Sequence, residues 1–210
     1  MLMDSFVKPT FIFILFCLTH SIFASVYFKQ KVFNHVPTLK PYYRLIYNGL
    51  ALFLLALWIV CLPDNSTVYR VRGVWFFILV LIQVLALLLA IKSISGHGIS
   101  FLGIQQIKQF LSEKRKPSYL DEPKRGKLTT TGLYRYMRHP LYTFSMIVLI
   151  ASPVMTHNLV FIIGCVGIYF WIGSFFEERN LIKRFGDDYN KFKKEVPRFI
   201  PYKFLFFQKK

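Results

Sequence analysis

Acidic residues and cysteines are scarce in this sequence, and several long stretches contain no charged residue at all. The chain has 10 Asp and Glu against 27 Lys and Arg, and three Cys. Cys17, Cys61 and Cys165 lie in apolar segments without a CxxC pair or metal-ligand spacing, so no zinc or other metal site is indicated. No Ser-His-Asp set and no phosphate-binding loop motif is present either. The commonest hydrolase and nucleotide-binding signatures are therefore missing.

What the sequence has instead is apolar residues in long runs. Hydrophobic residues make up 54% of the chain, with 23 Phe, against ~45–50% in ordinary soluble domains. A membrane-spanning helix needs roughly 20 mostly apolar residues. The sequence therefore predicts an all-α integral membrane protein with about five transmembrane helices. The predicted segments are 11–28, 45–62, 74–91, 141–155 and 159–176. All five lack Asp, Glu, Lys and Arg, which disfavours a transporter or proton relay.

The predicted organisation is a single membrane domain over residues 1–210. Three transmembrane helices fill 1–91, a cytoplasmic segment covers 92–138, and a helical hairpin with a cofactor-binding signature covers 139–210. Only Thr156, His157 and Asn158 separate the last two apolar segments, so these fold back on each other. Within the cytoplasmic segment, residues 99–111 fit either an interfacial amphipathic helix or an ordinary loop. The loop from 63 to 73 has the composition of a plain turn.

The basic residues are sorted by loop. If the N-terminus lies outside, 24 of the 27 Lys and Arg fall on the inner side, which leaves Lys8, Arg70 and Arg72 outside. Short basic loops mark the cytoplasmic face, so we expect the C-terminus there, in the inner membrane if the source is prokaryotic. The membrane topology then explains the positive net charge without nucleic-acid binding, although a basic face also attracts anionic lipid. Asp4 offsets Lys8, so the first segment reads as a retained helix rather than a cleaved signal.

The stretch RHPLY, residues 138–142, has the features of a helix start. Pro140 suits the first helical turn, and it disfavours a helical conformation at His139. Free backbone N–H groups follow, at the positive end of the helix dipole. The next helix is expected to end at 176 and to bring Glu177 and Glu178 back to the same level. A ligand with a carboxylate and cationic groups fits between such ends.

An ordered set of motifs resembles the C-terminal signature of the isoprenylcysteine carboxyl methyltransferase and phospholipid methyltransferase superfamily. The set comprises LTTTGLY at 128–134, RHPLY at 138–142, the pair at 177–178, FGDDY at 185–189 and VPRFIP at 196–201. Weaker similarity in the helix of His20 and Ser21, in RLIY at 44–47 and in FLGIQQ at 101–106 is closest to methanethiol S-methyltransferase-like proteins. A related denitrification-associated membrane family shares these weaker features.

The resemblance implies S-adenosyl-L-methionine as cofactor, bound at the cytoplasmic membrane face. The positions it implies for cofactor binding are Gly126, Lys127, Leu128, Thr129, Tyr134, His139, Pro140, Leu141, Tyr142, Glu177 and Glu178. Arg138 and Glu177 are the candidate catalytic residues, facing the carboxylate and the amino or ribose groups of the cofactor. Tyr134 or Tyr142 suits the sulfonium. His20 and Arg44 are weaker substrate candidates. The alternatives to these roles are structural. Arg138 and Tyr142 would be anchors at the membrane interface, and Glu177 and Glu178 would be solvated residues at a helix end.

Two departures from the resemblance bear on the substrate. The isoprenylcysteine enzymes carry an Arg where this chain has Gly173, and the family commonly has Gly where this chain has Phe144. The sequence therefore predicts methylation of a small thiol, whose pKa nearby Lys127, Arg135 and Arg138 would lower. The alternatives are carboxyl methylation of isoprenylcysteine, N-methylation of a phospholipid, a non-catalytic accessory membrane protein, and a lipid-surface anchor.

Overall fold

The computed structural model describes residues 5–63, 66–94, 111 and 128–201, arranged as two compact units. The first unit contains Met1–Asn65, and the second contains Ser66–Gly96 with Pro123–Lys210. The predicted amphipathic segment at 99–111 belongs almost wholly to the residues outside this description. Helices dominate both units, in agreement with the predicted class.

The described part of Met1–Asn65 in the first unit forms three α-helices. Helix α1 is Val7–Ala24, α2 is Val26–His35 and α3 is Tyr43–Val60, with a short 3₁₀ turn at Pro37–Leu39. Ser25 separates α1 from α2, because its backbone is extended and its side chain accepts a hydrogen bond from the Phe28 N–H at 3.2 Å. The predicted first segment, 11–28, therefore overran a helix boundary. Serine caps a new helix well because its hydroxyl satisfies a free N–H group.

Apolar and aromatic side chains hold α1 against α3. Phe13 and Trp58 lie with ring centroids 4.6 Å apart, and both are buried. The hydroxyl of Tyr43 donates to the Phe23 carbonyl at 2.9 Å, which ties the start of α3 to the end of α1. Large apolar side chains elsewhere on these helices are exposed, as is expected of surfaces that face lipid.

The second unit contains strand β1, Thr67–Arg70; helix α4, Val74–Ile94; helix α5, Pro140–Ile150; strand β2, Val154–Thr156; helix α6, His157–Phe185; and helix α7, Asp187–Glu195. The two strands pair antiparallel, with Arg70 opposite Val154. The loop predicted as a plain turn thus contains a strand, and the prediction of a purely α-helical chain misses this small sheet. Main-chain pairing across more than 80 residues leaves no local sequence pattern.

The last two helices differ most from the prediction. Helix α5 ends at Ile150, and the connection to α6 runs from Ala151 to Thr156, so His157 and Asn158 are helical rather than part of the turn. Helix α6 continues for 29 residues, to Phe185, and Gly186 ends it with φ of 59°. The glutamate pair is therefore inside a helix. Positive φ is accessible to Gly at little cost, which explains the stop.

Within the described residues, four helices are long and apolar enough to cross a membrane: α1, α3, α4 and α6. Helix α5 has 11 residues and a length of about 16 Å at 1.5 Å per residue. It packs against α4, where the Gln83 side chain donates to the Val148 carbonyl at 2.7 Å. The chain continues from α5 to β2 through Ala151, Ser152 and Pro153, and we call residues 151–156 the extension of α5. Helix α5 and this extension together connect the same two ends of the unit that α4 and α6 connect.

Candidate functional site

Two segments far apart in sequence meet at the start of α5. The backbone N–H of Arg138 donates to the Pro197 carbonyl at 2.9 Å, and that of His139 donates to the Arg198 carbonyl at 3.0 Å. Pro140 occupies the first turn of α5, and His139 before it is non-helical with φ of −124° and ψ of 64°. The predicted helix start is therefore confirmed, and the C-terminal VPRFIP stretch holds it in place.

Glu178 lies at the centre of a buried ion-pair cluster. Its side chain is 2% exposed. Arg198 binds it with both arms of the guanidinium, each at 3.0 Å, and the Arg138 Nη2 atom lies 3.0 Å from Oε1. His139 Nε2 lies 3.2 Å from the same oxygen, and Lys193 Nζ lies 3.5 Å from Oε2. Such a cluster ties α6, α7 and the start of α5 together through one carboxylate.

Glu177 differs from its neighbour because its side chain is 48% exposed. Its Oε2 atom accepts a hydrogen bond from the Tyr142 hydroxyl at 3.0 Å and lies 3.3 Å from His139 Nδ1. Oε1 has no recorded partner among the described residues. One carboxylate oxygen is thus fixed in position, while the other, in a half-exposed side chain, is available as an acceptor.

His139 bridges the two glutamates, with one ring nitrogen directed at each. Carboxylates only accept hydrogen bonds, so both nitrogens donate only when the imidazole is protonated. Burial alone lowers the pKa of His139, but the hydrogen bonds and charges of Glu177 and Glu178 outweigh it and raise the pKa above its usual value. The geometry therefore favours an imidazolium.

Aromatic rings stack beside the acids. Tyr142 lies parallel to His139, with centroids 5.2 Å apart, and parallel to Phe170, with centroids 4.4 Å apart. The ring of Tyr142 is thus already stacked with two neighbouring rings. Tyr134, by contrast, is half-buried and its hydroxyl lies 3.5 Å from the Ser93 carbonyl. Burial and the Glu177 carboxylate raise the pKa of Tyr134, so its hydroxyl stays neutral.

An apolar cluster supports the segment that leads to this helix start. Tyr189, Phe192 and Val196 of α7 and its C-cap are buried, and Leu128 and Tyr134 pack against them. Thr129 follows Leu128 on the exposed side. The predicted residues Gly126 and Lys127 lie outside the described part of the chain.

The structure brings most of the predicted site residues into one region of the second unit. These are Leu128, Thr129, Tyr134, Arg138, His139, Pro140, Leu141, Tyr142, Glu177 and Glu178. His20 and Arg44, the weaker substrate candidates, belong to the first unit. The His20 ring lies 5.6 Å from that of Phe16 and 5.7 Å from that of Tyr47, and its buried Nδ1 atom has no hydrogen-bond partner among the described residues.

Sequence reasoning assigned no role to Arg198 or Thr143, although both hold the site together. Arg198 forms the bidentate contact to Glu178, and its guanidinium carbon lies 3.9 Å from the Phe175 ring centroid. The Thr143 hydroxyl lies 3.1 Å from the Phe199 carbonyl. One signal in the sequence could have indicated the role of Arg198. It is the only charged residue of the VPRFIP stretch, in a chain that has few acidic residues to pair with it.

These features define a class: a multi-span helical membrane protein with a polar cluster at one end of its apolar helices. The family model described as phospholipid methyltransferase matches residues 77–188. The chain belongs to the phospholipid methyltransferase family and is a membrane methyltransferase, which confirms the resemblance predicted from the sequence. Such an enzyme needs a methyl donor.

Individual relatives agree with this family. The chain is 30% identical over 189 residues to methanethiol S-methyltransferase of Pseudomonas sp. (strain GM41(2012)), covering 89% of this chain and 70% of that protein. It is 36% identical over 77 residues to methanethiol S-methyltransferase 1 of Bradyrhizobium diazoefficiens, covering 37% and 27%. It is 30% identical over 103 residues to protein-S-isoprenylcysteine O-methyltransferase of Schizosaccharomyces pombe, covering 46% and 39%.

The chain thus spans less than two thirds of the length of the Bradyrhizobium and Schizosaccharomyces relatives. No solved structure gives a significant match.

Proposed function

We propose that this chain transfers a methyl group from S-adenosylmethionine to the sulfur of a small thiol at the cytoplasmic membrane face. The observation that carries the proposal is the half-exposed Glu177 carboxylate, fixed by Tyr142 and His139 beside the start of α5. The names of the relatives that align over 89–90% of this chain support a thiol acceptor.

The residues present fit the donor's chemical groups. The Oε1 atom of Glu177 can accept hydrogen bonds from an ammonium group or from ribose hydroxyls. The N–H groups of Leu141 and Tyr142 lie in the first turn of α5, where they have no intrahelical acceptor and suit a carboxylate. When bound, S-adenosylmethionine would supply an electrophilic methyl group to the sulfur of a thiolate and would leave as the neutral thioether.

The two aromatic candidates have different roles in this proposal. Because the ring of Tyr142 already stacks with His139 and Phe170, we assign the cation–π contact with a sulfonium to Tyr134, worth roughly 0.5–2 kcal/mol. Tyr142 instead orients Glu177 through its hydroxyl. A neutral Tyr134 hydroxyl keeps that ring from introducing a second negative charge near Glu177.

The sequence predicted Arg138 as a catalytic residue and Glu178 as a cofactor-binding residue, but in this proposal both act as positioning residues. The Arg138 guanidinium is 7% exposed and is bound to Glu178 and to the Lys193 carbonyl. The charges of Arg138 and Glu178 therefore offset each other, and the contact of Glu178 with His139 helps to fix the imidazole. The buried Nε atom of Arg138 has no hydrogen-bond partner among the described residues. Leu128 and Thr129 are the described members of the predicted cofactor-binding stretch at 126–129.

A small thiol suits this chain better than a prenylcysteine carboxylate. Gly173 occupies the position where the isoprenylcysteine enzymes carry an Arg, and a Cβ atom built there meets nothing within 4 Å. Gly173 therefore supplies neither a cation to bind a substrate carboxylate nor a side chain to fill the space at this position. Arg135 is exposed near the site and favours a thiolate over a thiol, because an adjacent cation lowers a thiol pKa.

The proposed topology has five passes, with the N-terminus outside and the C-terminus in the cytoplasm. It counts α5 with its extension as a pass, because this segment joins the same ends of the second unit as α4 and α6. The 24 Lys and Arg that fall on one side under this arrangement support the orientation. The inner membrane is the expected location if the source is prokaryotic.

A binding and transfer assay tests the function. The purified protein in detergent is titrated with S-adenosylmethionine, and radiolabelled donor is then supplied with methanethiol, larger thiols, a prenylcysteine analogue or phosphatidylethanolamine. We expect saturable binding and label transfer to the small thiols. Label transfer only to the prenylcysteine or only to the phospholipid would show that this compound, and not a small thiol, is the methyl acceptor. Folded protein that binds donor but labels none of them would support the accessory-protein alternative.

A further inference from the structure

A cavity of about 370 Å³ lies in the second unit, beside the β1–β2 pair and the start of α4. Its lining includes Arg70, Arg72, Phe76, Phe77 and Val154, and we call it the Arg70–Arg72 cavity. The donor site lies near the other end of α4, where Tyr134 contacts Ser93. Helix α4 has 21 residues, so roughly 30 Å separates the two.

Both arginines line the same cavity. Arg70 is the last residue of β1, and Arg72 follows two residues later, beyond the strand. The N–H of the intervening Val71 donates to the Pro153 carbonyl at 2.8 Å, and Arg70 pairs in register with Val154 of β2. The two guanidinium groups are therefore attached to a paired main chain rather than to a free loop.

Neither arginine is neutralised within the part of the chain that the structure describes. Both side chains are exposed, and neither has a recorded ion pair or hydrogen bond. Two like charges this close in sequence repel each other unless an anion lies between them. Guanidinium forks match the geometry of phosphate oxygens and bind them with paired hydrogen bonds.

Apolar side chains surround the two arginines of the cavity. Phe76 and Phe77 meet edge to face with centroids 5.5 Å apart, and Phe77 is 70% exposed. Val74 and Trp75 are each 65% exposed at the start of the same apolar helix. Aromatic side chains at a helix end are typical of the membrane–water interface. A ligand with a charged head and an apolar body matches this combination, whereas free phosphate would use the arginines alone.

We infer that the Arg70–Arg72 cavity binds the phosphate headgroup of an anionic membrane phospholipid. The acyl chains lie along the exposed apolar surface that begins at Val74 and Phe77. This site is separate from the donor site and sits on the membrane face that has few other cations.

Native mass spectrometry and thermal denaturation test this inference on the full-length protein in detergent. Phosphatidylglycerol is added to the parent and to the Arg70→Gln/Arg72→Gln variant, with phosphatidylcholine of the same acyl chains as the neutral comparison. We expect the parent to retain one phosphatidylglycerol more than the variant, with at least a fivefold weaker apparent affinity for that lipid in the variant. Phosphatidylcholine should be retained equally by both.

Three comparisons make the outcome decisive. Lys8→Gln removes an exposed cation of the first unit and should retain lipid as the parent does, whereas Arg70→Lys/Arg72→Lys keeps the charge but loses the fork and should give intermediate affinity. Equal phosphatidylglycerol retention in parent and glutamine variant would overturn the inference. Stabilisation of the parent by inorganic phosphate to the same extent as by the lipid would also overturn it. Donor binding at the distant site, unchanged in the glutamine variant, reports that this variant is folded.

Discussion

Glu177 and Glu178 are adjacent in the sequence, but their carboxylates have different environments. Glu178 is enclosed by Arg138, Arg198 and His139, whereas the Glu177 side chain is half-exposed. The difference arises because consecutive helical residues point about 100° apart, so one faces the packed interior and the other faces its edge. The buried acid is suited to holding the site and the exposed acid to contacting a ligand.

The Glu177→Gln substitution tests this division. It preserves side-chain size but removes the charge, so donor affinity should fall by about 1.5–3 kcal/mol, the range for hydrogen bonds to charged groups. Titration calorimetry with S-adenosylmethionine measures the change. Glu195→Gln, at the exposed end of α7, is the matched control and should bind like the parent. Parental affinity in the Glu177 variant would remove this residue from the donor site.

The protonation of His139 should appear in the pH dependence of stability. Its folded-state pKa is raised above the ordinary value of about 6.5 by Glu177 and Glu178. The charged imidazole therefore stabilises the fold fully below about pH 6.5, and this contribution is lost as the pH rises through the higher folded-state pKa. The Tm difference between the parent and His139→Gln should accordingly shrink as the pH rises from about 6 to 9.

Scanning fluorimetry across that range measures the difference, with His35→Gln in the first unit as the comparison. A Tm difference for His139→Gln that stays constant over the whole range would show that the imidazole is not charged in the folded protein.

At the scale of elements, one carboxylate joins three segments that the chain separates widely. Glu178 of α6 binds Arg138 before α5 and Arg198 after α7, and the two arginine-bearing segments also pair through their backbones. The start of α5 is thus held from two directions. Its free N–H groups point where the packing of α6 and the VPRFIP stretch directs them.

Removing the charge of Glu178 should destabilise this junction. Glu178→Gln leaves Arg138 and Arg198 without their carboxylate partner and leaves a protonated His139 with Glu177 alone, which costs about 3–5 kcal/mol for a buried cluster. Thermal unfolding in detergent should show a markedly lower Tm. Adding Arg198→Met to Glu178→Gln should recover part of the loss, since it removes one uncompensated charge. An unchanged Tm in the single variant would contradict the structural role.

The proline at the start of α5 gives a second prediction at this scale. Pro140→Ala loosens the helix start without removing a charge, so donor affinity per folded molecule should fall while membrane insertion stays normal. His139→Ala should lower affinity further, because it also frees Glu177. Pro37→Ala, at the start of the 3₁₀ turn in the first unit, is the matched control. Affinity is measured by titration, and the folded fraction is measured separately by size-exclusion chromatography.

Parental affinity in both Pro140→Ala and His139→Ala would mean that this helix start does not anchor the donor. A lower Tm with unchanged affinity would assign Pro140 a structural role alone.

At the scale of the whole molecule, the number of passes determines on which side the termini lie. Four long apolar helices alone would place both termini on one side, whereas counting α5 and its extension gives five passes and opposite sides. Fluorescent-protein and alkaline-phosphatase fusions at Lys210 distinguish these arrangements. We expect fluorescence and no phosphatase activity at Lys210, with phosphatase activity in fusions at the 63–73 loop. Phosphatase activity at both positions would contradict five passes with a cytoplasmic C-terminus.

The amino-acid sequence alone was sufficient for the membrane class, most helix positions and the start of α5. Apolar runs without charges enforce helices, because backbone groups in lipid must bond within their own segment. A proline fixes its own φ wherever it occurs, so the break at His139 and Pro140 needed no tertiary information. The ordered motifs also predicted the family and the region of the site.

Only the tertiary structure decided which charges pair and where α6 ends. The apolar run stops at 176, but the residues after it are good helix formers, and contacts with Arg138 and Arg198 allow a buried acid within the continuing helix. The pairing of β1 with β2 likewise joins positions more than 80 residues apart. Such contacts depend on how distant segments pack, and residue patterns within a local window cannot encode them.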